Sequence, residues 1–164
     1  ESIREGVREW VAPNWESYLA TQRARGYRIT EVSRSEHRLQ ADFGTWLLNQ
    51  GHKLIDQPLK TGSNHIYPDL FDQTSMTVFE AKRSSGRGYV RTAIGQVLDY
   101  QHVAQKNGLD VTCALLFPGA PVDDLVELCA KLAFKCLLGT LMGMSKKISS
   151  VFADSVPTAS RSRF

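Results

Sequence analysis

The segment over residues 67–82 constrains the fold of this chain most, because it contains two short extended stretches joined by a polar turn. The turn covers residues 72–75, Asp-Gln-Thr-Ser, which are residue types that favour chain reversal. The flanking stretches are rich in apolar residues and have the length of short β-strands. The sequence therefore predicts an antiparallel hairpin with strands over residues 66–71 and 76–82.

Each predicted strand of this hairpin carries an acid among apolar neighbours, Asp69 in the first strand and Glu80 in the second. Residues two apart in a strand point to the same face, so Glu80 and Lys82 share a face. The register of the hairpin can bring Asp69 to that face as well. Two carboxylates this close repel each other unless a cation lies between them, and oxygen ligands suit Mg²⁺ or Mn²⁺. The hairpin therefore predicts a site for a divalent cation.

Length and composition place the chain among ordinary globular proteins. A chain of 164 residues can form one domain with a substantial core, and 42% hydrophobic with 23% charged residues is typical of a soluble protein. The net charge of +3 permits a nucleic acid as a partner without demanding one. We find no apolar run long enough to span a membrane and no signal peptide, so we expect a cytoplasmic protein without membrane association.

The cysteines and histidines do not predict a metal site. Cys113, Cys129 and Cys136 are odd in number and lie in apolar surroundings, so we expect reduced core thiols rather than a disulfide framework. Their spacing matches no zinc or iron–sulfur signature. The four histidines are scattered singly and are expected to be surface or structural residues.

Two helical regions precede the hairpin. Apolar residues recur at helical spacing over residues 2–24, with an interruption at Pro13, and residues 1–32 are expected to form an N-terminal helical extension. The next helix is predicted to begin at an N-cap, Ser33 or Ser35, and to continue through Asn49. We predict that this helix opens a core domain over residues 33–140.

The helix ending near Asn49 is predicted to stop at Gly51. Its apolar stripe, which we expect to be buried, consists of Leu39, Phe43, Trp46 and Leu47. Glu36 lies on the same stripe near the helix start. A glutamate favoured by the helix dipole explains this position without any functional role.

The remaining elements of the core follow from turn and periodicity signals. Residues 52–59 are predicted to form the first strand of a meander, and residues 60–64 to form a polar turn. After the hairpin we predict a helix over residues 89–106, ended by Asn107-Gly108, with an apolar stripe. That stripe consists of Ala93, Ile94, Val97, Leu98 and Ala104.

An apolar run over residues 110–117 predicts a central strand, reached from the hairpin through a helix and therefore parallel to residues 76–82. A helix over residues 122–133, N-capped by Asp123, and a last strand over residues 134–138 are predicted next. Residues 141–164 are left as a tail of uncertain structure, with a disordered end.

A basic, glycine-containing loop follows the hairpin and leads into the helix. Its glycines allow close approach of the backbone, and the helix start offers free N–H groups to an anion. Arg83, Arg87 and Arg91 are therefore candidates for phosphate contacts with DNA, and Lys60 in the polar turn is a further candidate. The alternative is a solvated loop without a binding role.

Two motifs in this order resemble a known family. Pro68-Asp69 and Glu80-Ala81-Lys82 resemble the two halves of the PD-(D/E)XK nuclease motif. Gln96 and Tyr100, four residues apart on the following helix, resemble the Gln-x-x-x-Tyr motif of one large branch of that superfamily. The predicted order α-β-β-β-α-β matches the restriction-endonuclease-like core, so the resemblance implies an α/β fold with a mixed central sheet flanked by helices.

The resemblance also implies roles for individual residues. Asp69 and Glu80, with the main-chain carbonyl of Ala81, are expected to hold Mg²⁺ or Mn²⁺, and Glu36 to assist the metal. Lys82 is expected to orient or deprotonate a water, or to stabilise developing charge. Gln96 and Tyr100 are expected to position Lys82 and the DNA backbone, and they complete the predicted catalytic set.

The implied function is that of a magnesium-dependent DNA endonuclease domain, the cleavage module of a restriction or defence enzyme. Nothing in the chain resembles a base-reading module, so we expect target recognition in a separate domain or subunit. A homodimer is compatible with this interpretation. A repair or recombination nuclease, such as an exonuclease or junction resolvase, is the first alternative. A non-catalytic nucleic-acid-binding domain of the same fold and an unrelated α/β domain are the others.

Overall fold

The structure, a computed structural model, describes residues 6–14, 16 and 31–138 of the 164-residue chain. These residues form strands β1 Arg8–Glu9, β2 Leu54–Asp56, β3 Leu59–Thr61, β4 Asn64–Ile66, β5 Leu70–Asp72, β6 Thr77–Ala81, β7 Thr112–Phe117 and β8 Lys135–Leu138. They also form helices α1 Glu31–Asn49, α2 Arg87–Lys106 and α3 Asp123–Lys131. The predicted tail over residues 141–164 lies outside the described residues.

A mixed sheet of six strands organises the described residues, in the order β1-β2-β5-β6-β7-β8. The strands from β1 to β6 pair antiparallel, whereas β6 pairs parallel with β7 and β7 pairs parallel with β8. Each parallel step needs a crossover, which α2 supplies between β6 and β7 and α3 supplies between β7 and β8. The predicted α/β class, the mixed sheet and the parallel partner of the second hairpin strand are confirmed.

The sheet separates two apolar layers. On one face α1 packs against β2, β5 and β6 through Leu39, Phe43 and Leu47. On the other face α2 and α3 pack against the same sheet, with Val97, Ala104 and Leu125 completely or almost completely buried. All five residues of β6 are buried, which is expected for a strand covered on both faces. None of the three described helices has the length and apolar character that a membrane span requires.

The helix boundaries differ from prediction in detail. Helix α1 begins at Glu31, so Ser33 and Ser35 lie inside it and neither can be its N-cap. Its end agrees with prediction, because Gly51 adopts a positive φ of 84°. The residues of the predicted stripe are buried, except that Trp46 is half-buried.

Helix α2 ends as predicted at Asn107-Gly108, where Gly108 has a φ of 75°. The prediction that Leu98 lies in its buried stripe is wrong, since the residue is 44% exposed. Leu98 follows the buried Val97, and one residue corresponds to a rotation of about 100° around the helix. Helix α3 begins at Asp123 with Val122 at the N-cap, one residue from the predicted cap.

The predicted first strand over residues 52–59 is divided. Strand β2 ends at Asp56, and β3 then pairs with β4 in a separate two-stranded ribbon. Asn107 fixes this ribbon to the end of α2, since its Oδ1 accepts from Lys60 N at 2.8 Å and its Nδ2 donates to Lys60 O at 2.9 Å. The predicted polar turn is therefore mostly strand, with Gly62 at its tip.

The predicted strand over residues 66–71 is interrupted as well. Ile66 ends β4 and Leu70 begins β5, with Pro68 between them. Proline has no N–H to donate to a strand partner, so the paired strand starts only after it. The predicted hairpin and its antiparallel pairing are confirmed, but the turn lies at residues 73–76 instead of 72–75. Asp72 ends β5, and Met76, with a φ of 49°, lies before β6 instead of in it.

The predicted N-terminal helix is wrong at Arg8–Glu9, which form the edge strand β1 paired with β2. Hydrogen bonding to a sheet edge has overridden helical periodicity here. Trp10 then enters the layer below α1, where a Cβ on Gly44 would clash with the indole ring. Most of the remaining predicted helix lies outside the described residues.

The β5–β6 turn is held by the carboxylate of Asp72, which is completely buried. It accepts hydrogen bonds from Thr74 N at 2.9 Å, Ser75 Oγ at 2.5 Å and His52 Nδ1 at 2.6 Å. Burial alone would raise the pKa of Asp72, but these hydrogen bonds outweigh it and lower the pKa below the ordinary value. The ionised carboxylate therefore stabilises the hairpin turn.

We predict that Asp72→Asn lowers the free energy of unfolding at pH 7 by about 1–3 kcal/mol, because buried donors lose their ionised acceptor. A lowered folded pKa contributes stability above the unfolded pKa, about 4, and this stability is lost as the pH falls through the folded pKa. The deficit of the variant should therefore shrink towards pH 3. Urea unfolding at both pH values measures it, with the exposed Asp110→Asn as control. A deficit independent of pH would contradict this role.

Candidate active site

The register of the β5–β6 hairpin brings Asp69 and Glu80 together. Leu70 pairs with Phe79, so the next position outward along the hairpin places Asp69 opposite Glu80. Side chains directly opposite each other in an antiparallel pair lie on the same face. The carboxylate of Asp69 is held by the N–H of Ala81, which donates to Oδ2 at 2.8 Å. The two acids therefore converge on the face that α2 covers, as the sequence predicted.

Lys82 follows the last residue of β6 and neutralises Glu80. Its Nζ contacts Glu80 Oε1 directly and lies 3.5 Å from Glu36 Oε1 on α1. The Lys82 side chain is only 10% exposed, so these contacts are poorly screened by solvent. The main chain of Lys82 is fixed as well, because its N–H donates to Leu116 O at 2.9 Å. Lys82 thus links carboxylates from a helix and a strand.

Tyr100 completes the surroundings of Glu80. Its hydroxyl donates to Glu80 Oε2 at 2.9 Å, so one carboxylate oxygen contacts an ammonium group and the other a phenol. Glu80 is 2% exposed, and a buried carboxylate without such partners would cost several kcal/mol. Tyr100 lies on α2, so this hydrogen bond also orients the helix against β6.

Gln96 lies one helical turn before Tyr100 and interacts with its hydroxyl. Its Oε1 atom is buried and accepts no hydrogen bond from any described residue. Buried acceptors normally have a partner, and an exception often marks a place where a water or a ligand binds. The predicted pair Gln96 and Tyr100 therefore lies at the carboxylates and leaves one acceptor free.

The pKa values of Asp69 and Lys82 are both raised above their ordinary values. Burial, together with the charge of Glu80, raises the pKa of Asp69 to about 7, although Ala81 N–H and Lys82 act in the opposite direction. Burial lowers the pKa of Lys82, but contacts with Glu80 and the charge of Glu36 more than compensate, so its pKa is raised. At neutral pH Lys82 is therefore an ammonium ion, and Asp69 is only partly ionised.

The oxygen donors of the site suit a small, hard cation that also binds water and substrate, rather than an ion enclosed entirely by protein ligands. No cluster of three or more acids, histidines or cysteines arranged for a metal ion is present in residues 6–14, 16 and 31–138. Two converging carboxylates are nevertheless a sufficient protein contribution for Mg²⁺, which keeps several waters and also binds substrate phosphates. Burial and, after it, repulsion by Glu80 raise the pKa of Asp69, and a cation between the two acids would relieve the repulsion.

The predicted basic contacts are not one cluster. Arg83, next to Lys82, lies over the ring of Tyr89 with 4.8 Å between Cζ and the ring centroid. Arg87 forms an ion pair with Asp124 on α3, which compensates its charge. Arg91 is exposed on α2. Lys60 lies on the separate β3–β4 ribbon, where it pairs with His65 and its backbone bonds to Asn107.

One exposed residue close to Asp69 in the chain has no role predicted from the sequence. Tyr67 is 63% exposed and precedes Asp69 by two residues. Every other aromatic side chain in the described part of the chain is buried or half-buried. The signal in the sequence is an aromatic residue directly before Pro68, where the chain leaves strand pairing. Such a ring is available to stack on a planar ligand group.

Comparison of this chain with protein-family models, with curated proteins and with solved structures found no match. The assignment of a function therefore depends on the residues and the geometry of the site.

We predict that Asp69→Asn stabilises the metal-free protein. A folded pKa of about 7, above the unfolded value of about 4, destabilises the folded state increasingly as the pH rises between these values. The variant removes this penalty and keeps an oxygen to accept the Ala81 N–H. We expect a gain of about 1–2 kcal/mol at pH 8 and little change at pH 4.

Urea unfolding in EDTA at these two pH values measures this gain. Asp99→Asn, an exposed acid on α2, is the matched control and should change stability by less than about 0.5 kcal/mol. Equal stability of Asp69→Asn and the wild type at pH 8 would contradict the penalty that burial and the charge of Glu80 impose on the ionised Asp69 carboxylate.

Proposed function

We propose that this chain is a divalent-metal-dependent DNA nuclease domain with a restriction-endonuclease-like core. The observation that carries the proposal is the convergence of Asp69, Glu80 and Lys82 at the open end of one hairpin. Carboxylates placed against each other together with an ammonium group are suited to binding a cation and a phosphate at the same place. The resemblance to the PD-(D/E)XK motif gives the same residues these roles.

The arrangement of elements supports the same proposal. Helix α1 lies on one face of the sheet, β2, β5 and β6 form an antiparallel meander, and α2 leads to the parallel strand β7. This is the order α-β-β-β-α-β, with the β3–β4 ribbon inserted after the first strand of the meander. The pair Gln96 and Tyr100 lies on the first helix after the Glu-Ala-Lys strand.

Asp69 and Glu80 would hold Mg²⁺ or Mn²⁺, with the carbonyl of Ala81 as a further ligand and Glu36 on the side of α1. When bound, such an ion supplies Lewis acidity at the scissile phosphate and lowers the pKa of a water. Tyr100 holds the Glu80 carboxylate in a fixed orientation through its hydrogen bond. Gln96 Oε1 offers a free acceptor that can orient a water or a substrate hydroxyl.

Lys82 serves as an electrostatic catalyst in this proposal rather than as a general base. Burial lowers the pKa of Lys82, but the contacts with Glu80 and the charge of Glu36 raise it further, so the ammonium form is favoured when no cation is bound. An ammonium ion beside the phosphate stabilises the negative charge that develops during hydrolysis. Arg83, on the adjoining loop, and Arg91, on α2, would contact the DNA backbone.

The proposed biological setting depends on how the DNA target would be chosen. Phosphate contacts give no sequence information, so a separate domain or subunit would choose the target of a restriction or defence enzyme. A repair or recombination nuclease uses the same chemistry and differs in its DNA substrate. Tyr67 favours neither class, since an exposed ring can stack on any unpaired base.

We predict that the protein cleaves DNA in Mg²⁺ and does not cleave it in EDTA. Supercoiled, linear, methylated and single-stranded DNA are incubated with the wild type and with Asp69→Ala, Glu80→Ala and Lys82→Ala. Each variant should lose at least about a hundredfold in rate while keeping its circular dichroism spectrum. Asp99→Ala should cleave like the wild type.

Wild-type cleavage by Lys82→Ala would reject the role of that residue. DNA binding without cleavage by the wild type would support the alternative of a non-catalytic nucleic-acid-binding domain.

We predict a smaller effect for Tyr100→Phe, which removes only the hydroxyl bonded to Glu80. Loss of one hydrogen bond to a charged group should reduce the cleavage rate about tenfold or somewhat more. Tyr67→Phe removes an exposed hydroxyl and is the matched control, because stacking of its ring is retained. Cleavage rates at saturating Mg²⁺ compare the two variants, and equal rates would assign Tyr100 no part in the reaction.

A further inference from the structure

A cleft of about 580 Å³ opens on one face of strands β1, β2 and β5. Residues 53, 55 and 57 alternate along β2 and its ends and line the cleft, as do residues 71 and 73 along β5. Ile55 pairs with Phe71, so these two apolar side chains lie side by side in the cleft. Both belong to the apolar layer that α2 covers. The volume lies within the range of sites that bind small molecules.

The rest of the apolar lining comes from three other segments of the chain. Val7 precedes β1, Met76 precedes β6, and Leu109 follows α2. All three residues are half-buried, so the cleft keeps apolar surface in contact with solvent. Covering this surface with the apolar part of a ligand would be favourable.

Gln57 supplies a hydrogen-bond acceptor in the cleft. The residue is only 8% exposed, and its Nε2 donates to Pro58 O at 3.0 Å. Its Oε1 accepts no hydrogen bond from any residue of the described part of the chain. The atom is not enclosed by protein, so it reaches the cleft that Gln57 lines. Buried amides normally have a partner for the oxygen as well as for the nitrogen, so this oxygen is a position for a ligand donor.

Lys53 and Gln73 supply donors at the opposite end of the cleft from Gln57. They lie one position beyond the pair Leu54 and Asp72, and Gln73 N donates to Lys53 O at 2.8 Å. Both side chains are exposed, and no described residue forms an ion pair with the Lys53 ammonium group. A carboxylate can accept hydrogen bonds from an ammonium group and an amide at the same time.

We propose that the cleft binds a small carboxylate that carries an apolar ring system and one N–H donor. The ring system would lie on Ile55 and Phe71, and the N–H would donate to Gln57 Oε1. The carboxylate would accept hydrogen bonds from Lys53 and Gln73. Residues 53 and 57 are about 13 Å apart along the strand, a distance that a lysine side chain and a bicyclic ligand cover together.

This site is separate from the candidate active site. Gln73 and Met76 lie at the turn of the β5–β6 hairpin, whereas Asp69 and Glu80 lie at its open end. The proposal therefore concerns a second site and does not depend on nuclease activity.

Indole-3-acetate is the probe, because it has a bicyclic ring, one N–H and one carboxylate. Two analogues each lack one group, since 1-methylindole-3-acetate has no N–H and indole-3-acetamide has no charge. Each compound is titrated into the nitrogen-15-labelled full chain, and the amide signals are followed by NMR. We expect saturable shifts at residues 53–57 and 71–76, with a dissociation constant of about 1 mM or lower for indole-3-acetate. Each analogue should bind about five- to tenfold more weakly, because it loses one polar interaction.

Variants assign the polar contacts. Lys53→Met removes the ammonium group and keeps the apolar stem, so it should weaken indole-3-acetate about tenfold and leave indole-3-acetamide unchanged. Gln57→Met removes the acceptor and should bind indole-3-acetate and its 1-methyl analogue equally. Lys131→Met, at an exposed lysine in the last turn of α3, is the matched control and should bind all three compounds like the wild type. Urea unfolding checks that each variant is folded.

Shifts that do not saturate, or equal affinities of the wild type for all three compounds, would overturn the proposal. Unchanged affinity of Lys53→Met for indole-3-acetate would overturn it as well. None of these results would affect the nuclease proposal, which is tested by metal-dependent cleavage.

Discussion

The buried carboxylate of Glu80 is the feature on which the rest of the structure depends. It lies on β6, whose residues are all buried, in a sheet covered by helices on both faces. A charge in this position is costly unless it is paired and hydrogen-bonded. Lys82 and Tyr100 meet that requirement from the strand end and from α2. Removing either partner would leave a charge or an acceptor uncompensated, so the site and the packing of α2 on the sheet are coupled.

The carboxylates at the two ends of the β5–β6 hairpin have pKa values that are shifted in opposite directions. At the turn, Asp72 is surrounded by donors that lower its pKa and stabilise the folded state. At the open end, Asp69 is buried and lies against another carboxylate, and both effects raise its pKa. One register produces both situations, because the residues that pair beside the turn also place Asp69 opposite Glu80. The favourable hydrogen bonds of Asp72 at the turn thus offset the unfavourable burial of Asp69 at the open end. Such a combination is common at functional sites.

Several elements differ from their predictions because local patterns compete with tertiary pairing. Periodicity over the first residues indicated a helix, yet Arg8–Glu9 bond to the edge of β2. The polar residues around Gly62 indicated a turn, yet most of them form a ribbon that Asn107 fixes to α2. Leu98 is apolar and lies beside the buried Val97, but the rotation of α2 that satisfies Glu80 directs it to solvent. These outcomes depend on partners that are distant in the chain, which a local pattern does not contain.

The sequence by itself determined the order of the main elements, the presence of the hairpin, and which residues share a face of one strand or one helix. Glu80 and Lys82 share a strand face and Gln96 and Tyr100 share a helix face, because the periods of strands and helices are constant. Only the tertiary structure decided that Lys82 lies between Glu36 and Glu80 and that Tyr100 reaches Glu80. Each of these contacts joins different elements, so it depends on strand order, on helix rotation and on where the chain turns back.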